Sequence, residues 1–124
     1  MTVTDVQNAC YRDLQPLGIQ VMHADDIRDM AEERCVIRTN QLREGSHWSE
    51  GGVEIIVACP DVRGQVTARL GELEQMLKSL MDATDAREWN GEYYHYEFLS
   101  GAIEKDKDME CHYVHYTYNF KTLY

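Results

Sequence analysis

Residues 61–82 constrain the fold more than any other stretch. Val66, Leu70, Leu73, Leu77 and Leu80 recur at alternating spacings of four and three, which sets them on one face of a helix. Pro60 separates the stretch from the apolar run before it, and Asp61 stands where a side chain can accept from the free N–H groups of a first turn. A helix over 61–82 would be ~30 Å long, and an apolar stripe of that length needs a surface to cover. Gly64 and Gly71 weaken the helix by ~1 kcal/mol each. Burial of each stripe residue contributes roughly 1.5–3 kcal/mol and outweighs them. Strand-like segments on both sides make the stripe the lid of a sheet, not a coiled-coil seam.

Upstream, Thr4-Asp5-Val6-Gln7 has the form of a capping box. Val6, Cys10 and Leu14 follow on one helical face, and Pro16 and Gly18 close a short helix. Residues 19–23 predict a short strand. Residues 24–34 are polar and mainly acidic, a helical turn or a loop that Ile27 and Met30 could pin to the body. Residues 35–42 alternate as a strand does, and 43–51 predict a connection too long for a tight hairpin turn. Residues 52–59 are the strongest strand, whose near-continuous apolar run predicts a central position covered on both faces.

Downstream, residues 84–91 form a polar exit ending in Asn-Gly, a turn signal. Residues 92–99 predict one strand, 100–108 a charged connection and 109–121 a second strand with Val114, Tyr116, Tyr118 and Phe120 on one face. No repeat or linker divides the chain. The expectation is therefore one α+β domain over 1–124: a mostly antiparallel sheet packed against one long helix and a short N-terminal helix.

Composition narrows the function classes. A chain of 124 residues is long enough for one core without staples. No apolar stretch approaches the ~20 residues of a membrane span, and the N-terminus shows no signal-peptide pattern, so a soluble protein is expected. Cys10, Cys35, Cys59 and Cys111 include no Cys-x-x-Cys pair, and without an export signal they read as reduced thiols. The formal charge of −10 disfavours wrapping a nucleic acid, because phosphate binding needs Lys and Arg. It suits a basic protein partner or a surface that repels DNA.

Candidate chemistry is sparse. Cys111-His112-x-x-His115 is the one cluster with metal-like composition. On a strand His112 and His115 point to opposite faces, and Cys111 and His115 sit ~13 Å apart along one face, so no metal site is expected. His23, His47 and His95 are isolated, and no phosphate loop or His-Glu-x-x-His is present. No catalytic residue, enzyme activity or cofactor is expected. Nine of the twelve aromatic residues lie between Tyr93 and Tyr124. Such tyrosines are either half-buried sheet residues or a protein interface, where tyrosine is enriched. Tyr94, Tyr96, Tyr116 and Tyr118 are the interface candidates, and His47-Trp48 in the mid-chain loop is a second candidate contact.

The order short helix, strand, strand, loop, strand, long helix, terminal hairpin resembles the tail terminator or tail-completion proteins of long-tailed bacteriophages. These are minor tail proteins that join the tail to the head. The residues that carry the resemblance are the amphipathic start at 4–14, the strand 53–59 running through Pro60-Asp61 into the helix, and the alternating segments 92–99 and 109–121. It implies a ring, typically hexameric, that caps the tail tube in the neck of the virion and passes DNA through its lumen without binding it specifically. It also implies the tail tube protein and a head-completion or neck protein as partners, met through loops matching 43–51 and 100–108, and synthesis in the host cytoplasm. Two alternatives stand beside it: a neighbouring neck or head-completion role, and an acidic protein-binding module such as a DNA-mimic inhibitor. A small enzyme would instead need a pocket joining His95 or His115 to a carboxylate.

Overall fold

The computed structural model describes residues 1–23, 32–44, 48–61, 66–82, 86–106 and 111–123. Helix α1 (Val3–Leu14) starts at Thr2, whose side chain accepts from the Asp5 amide while the Asp5 carboxylate accepts from the Thr2 amide. The capping box therefore begins two residues earlier than Thr4. Its hydrogen bonds, that from the Thr2 amide foremost, hold the Asp5 carboxyl below its ordinary value. A 3-10 turn (Gln15–Leu17) ends at Gly18, which sits in the left-handed region at φ 74°.

Strands β1 (Gln20–His23), β2 (Arg34–Glu44) and β3 (Trp48–Pro60) precede α2 (Val66–Met81). Strands β4 (Arg87–Trp89), β5 (Glu92–Asp106) and β6 (Cys111–Leu123) follow it. One six-stranded sheet has the order β1-β2-β3-β6-β5-β4, with β1 parallel to β2 and every other pairing antiparallel.

The expected α+β architecture, a sheet packed against one long helix, does not hold. The described residues are 58% strand and 31% helix, and two short helices accompany a curled half-barrel sheet. The physical reason lies in the segments assigned to connections. Residues 43–51 and 100–108 carry Gly, Ser and charge, yet β2 runs on to Glu44, β3 begins at Trp48, and β5 continues to Asp106. Cross-strand partners decide strand formation more than local composition does. Of the helix expected over 61–82, α2 covers Val66–Met81, and residues 62–65, Gly64 among them, lie outside the described residues. Asp61 is not helical, and the 16 residues of α2 span ~24 Å.

The core lies between the helices and the hollow face of the sheet. Val6, Cys10 and Leu14 from α1 and Leu70, Leu73 and Leu77 from α2 pack on Cys35, Ile37, Val53, Ile55, Val57, Val114, Tyr118 and Phe120. Leu80 is half-buried against the same cluster. β3 is central, as its apolar run predicts, but the run does not mean equal cover on both faces. Its residues from Gly51 to Val57 alternate buried and half-buried. Asn90 and Gly91, at φ 50° and 83°, form the two-residue turn between β4 and β5, a conformation that favours these two residue types.

Arg69 on α2 ties the helix to the start of β2. It donates to both carboxylate oxygens of Glu33, at 2.5 and 3.1 Å. This hydrogen bond holds the Glu33 carboxyl below its ordinary 4.5. The folded value lies below the unfolded one, so the pair's contribution is complete above about pH 4.5 and fades as pH falls through the folded value. Glu33→Gln should therefore lower the urea midpoint at pH 7 and leave it unchanged near pH 2, measured by circular dichroism across pH.

Candidate interaction surfaces

The tyrosines singled out in the sequence divide by burial. Tyr94, Tyr116 and Tyr118 are buried and Tyr96 is half-buried. Register explains it: Tyr94, Tyr96 and Phe98 on β5 stand opposite Thr122, Phe120 and Tyr118 on β6, all on the hollow face. Tyr94 stacks on Phe120 with ring centres 4.6 Å apart, and Tyr96 meets Phe120 edge-on at 5.5 Å. Most of the aromatic density of the hairpin is therefore core. Trp48 is partly exposed at the start of β3, with the Lys121 ammonium 5.4 Å from its ring centre. His47 lies outside the described residues, as does most of the acidic segment 24–34.

A polar node bolts α1 to the hairpin. The buried Asp13 carboxylate accepts from the Tyr94 hydroxyl at 2.6 Å and the Tyr96 hydroxyl at 2.8 Å. Arg87 reaches it at 3.4 Å and Arg12 at 3.3 Å. Arg87 also donates to the Leu80 carbonyl near the end of α2 and lies over the Tyr96 ring. Burial first, then the hydrogen bond to Asp13, pushes the Tyr94 hydroxyl above its ordinary value. Burial likewise raises Tyr96, and it raises the neighbouring Cys10 thiol to about 12. A thiol that hard to ionise is a poor nucleophile or ligand, and all four cysteines are buried thiols outside any disulfide.

Two tyrosines under α2 contrast. The Tyr116 hydroxyl donates to Glu74 at 2.6 Å, and burial followed by that bond raises it to about 12. Its ring covers Gly101 so closely that a Cβ there would lie 2.6 Å from it, which explains the glycine in mid-strand. The buried Tyr118 hydroxyl has no hydrogen-bond partner among the described residues. An unsatisfied buried hydroxyl costs about 1–3 kcal/mol, so Tyr118→Phe should leave the thermal midpoint unchanged or raise it.

Three histidines, His95, His112 and His115, each meet a carboxylate, and no two of the pairs share a residue. His115 contacts Glu54 at 3.2 Å, and Glu54 also faces Arg38 at 3.7 Å. His95 faces Glu97 at 3.6 Å. These pairs lie on the outer face of the sheet, away from the helices. His112 is on the hollow side and contacts Asp61 at 2.6 Å, with Lys105 3.9 Å from the same carboxylate. His112 and His115 thus point to opposite faces, as strand alternation requires. Among the described residues no three His, Cys, Asp or Glu side chains converge on a point that would hold a metal ion. Among them, too, no helix is long and apolar enough to cross a membrane.

Sequence reasoning missed the most exposed apolar surface. β4 covers the outer edge of β5 only from Glu92 to Tyr94. Among the described residues no strand pairs with that edge beyond Tyr94. Along it Phe98 is 46% exposed, Leu99 58% and Ile103 65%. A bulge at Leu99, between Phe98 and Ser100, changes the alternation. Before it the even-numbered residues face the hollow; after it Gly101, Ile103 and Lys105 do, opposite Tyr116, Val114 and His112. Ile103 lies on the hollow side of the sheet but past the helices' full cover. It lines a shallow cleft of about 80 Å3 with Leu70, Gly71, Glu74 and His112.

A search against models of known protein families finds no match to this chain, and comparison with curated protein sequences finds no significant relative.

Proposed function

We propose that this chain is a structural assembly protein of a long-tailed phage, a tail terminator or completion subunit that forms a ring on the tail tube. The observation that carries the assembly reading is the outer edge of β5. A long edge strand with no strand partner among the described residues beyond Tyr94, and with three exposed apolar side chains, is a template for another chain. Such edges are often blunted by Pro, bulges or charge; this one has no Pro, and despite the bulge at Leu99 and the neighbouring Glu104 and Lys105 the side chain of Ile103 stays exposed. The phage setting comes from the element order, which in the structure runs helix, three strands, helix, then a terminal hairpin preceded by the short β4. The ring would meet the tail tube protein and a head-completion or neck protein. The charge of −10 keeps a DNA-passing lumen from adhering to the polyanion.

The DNA-mimic reading has less support. Such an inhibitor needs free carboxylates in a row. On the outer face Glu50 accepts from Asn119, Glu54 pairs with Arg38 and His115, Glu97 faces His95, and Glu104 accepts from Tyr113.

Purified protein incubated with tail tubes and imaged in negative stain tests the proposal. Caps at one end of the tube are the expected result. Tubes bare at both ends, together with no binding to any neck partner, would overturn it.

A further inference from the structure

A ring subunit needs two complementary edges, and this sheet has two. β1 is outermost on one side. On the other side β5 is outermost beyond the end of β4. Among the described residues neither stretch pairs with a further strand, and the two lie level with one another. Following the strand pairing across the sheet, Val21, Cys35, Val57, Val114 and Ile103 form one row. Gln20, Arg34, Ala58, Tyr113 and Glu104 form the row beside it, and Met22, Val36, Ile56, His115 and Ala102 the row on the other side. One parallel and three antiparallel pairings separate the two edges, so β1 and β5 run in opposite directions.

We propose that the partner of the β5 edge is β1 of a second copy, added as an antiparallel strand with Val21 opposite Ile103, Gln20 opposite Glu104 and Met22 opposite Ala102. This rests on the ring-assembly reading and names the surface that completes it. The pairing extends the sheet by continuing its own rows, so the two copies keep their hollow faces on the same side. Val21 then covers the exposed Ile103 on that side. The exposed Gln20 amide reaches the Glu104 carboxylate on the outer side, and Met22 lies over Ala102. Each copy gives one edge and receives the other, a head-to-tail contact that closes a ring when the rotation per copy allows it. The curl of the sheet supplies rotation of that kind. Pairing β5 with β5 about a two-fold axis would leave β1 unused and would stop at two chains.

Paired cysteines test the register. Directly opposed cross-strand Cβ atoms lie ~4.5–5.5 Å apart, close enough for a disulfide with slight adjustment, and the four native thiols are buried. Val21→Cys, made with Cys35→Ser because Cys35 stands opposite residue 21 on β2, and Ile103→Cys are purified separately, mixed with and without tail tubes, oxidised mildly and run on a non-reducing gel. The expected result is a cross-linked dimer from the mixture and none from either variant alone. Met22→Cys with Ala102→Cys reads the same register from the outer face, should Val21→Cys fail to fold. A dimer from Ile103→Cys alone, or no dimer from either mixture, overturns the proposal. Cross-links that form while tubes stay bare uphold the strand pairing and remove the tail assignment. Capped tubes without cross-links uphold the tail assignment and remove the pairing.

Discussion

Asp13→Ala is expected to destabilise the protein by about 3–5 kcal/mol, the range for removing one partner of a buried ion pair. The carboxylate accepts from Tyr94 and Tyr96 and faces Arg87. Without it two phenol hydroxyls lose their acceptor, and a mostly buried guanidinium loses its counter-charge. Arg12 adds less, because its side chain is half exposed and a pair in contact with water is screened. Asp13→Asn keeps an acceptor for one hydroxyl and should fall between wild type and Asp13→Ala. Urea denaturation followed by far-ultraviolet circular dichroism measures both. A midpoint for Asp13→Ala within error of wild type would remove the node from the account of how α1 is held to the hairpin.

Leu73→Asp should prevent folding outright. Leu73 is fully buried in the middle of α2, in the cluster formed with β3 and β6. An isolated carboxylate there has no partner and must stay desolvated or take up a proton. Leu73→Ala is the graded version, with an expected loss of about 2–5 kcal/mol from transfer and cavity terms. The readouts are soluble yield for the first and urea midpoint for the second. A Leu73→Asp protein that stayed soluble and folded but failed to assemble would make the stripe of α2 an interface, not core.

Local patterns were legible where they report burial against one surface. The spacing of Leu70, Leu73 and Leu77 located the buried face of α2, and alternation in β6 located Val114, Tyr116, Tyr118 and Phe120. The contact between the Asp61 carboxylate and the imidazole of His112 was not legible, because the two are far apart along the chain. Thr2 and Thr4 both offer a hydroxyl three residues before a polar side chain, so the capping box was ambiguous by two residues. Strand length was the larger failure. Ser100, Gly101 and the charges that follow suggest a loop, yet Gly101 is in the strand because the ring of Tyr116 covers it. The surface proposed here for assembly was hidden by the same feature. The bulge at Leu99 moves Ile103 to the hollow side, and a period-two reading carried through it puts every later residue on the wrong face. The shared face of the β6 tyrosines was legible, but not that this face turns toward the helices.

The central claim is that the exposed edge of β5 is where this protein meets its own kind on the tube. Ile103→Lys tests it most directly. Ile103 is 65% exposed, so the substitution should leave the thermal midpoint nearly unchanged, whereas on assembly the ammonium would be buried against Val21 of the second copy without a partner. Tail tubes imaged in negative stain should carry caps with the wild-type protein and lose them with Ile103→Lys at equal concentration. Capping by a folded Ile103→Lys protein as complete as that by wild type would contradict the claim.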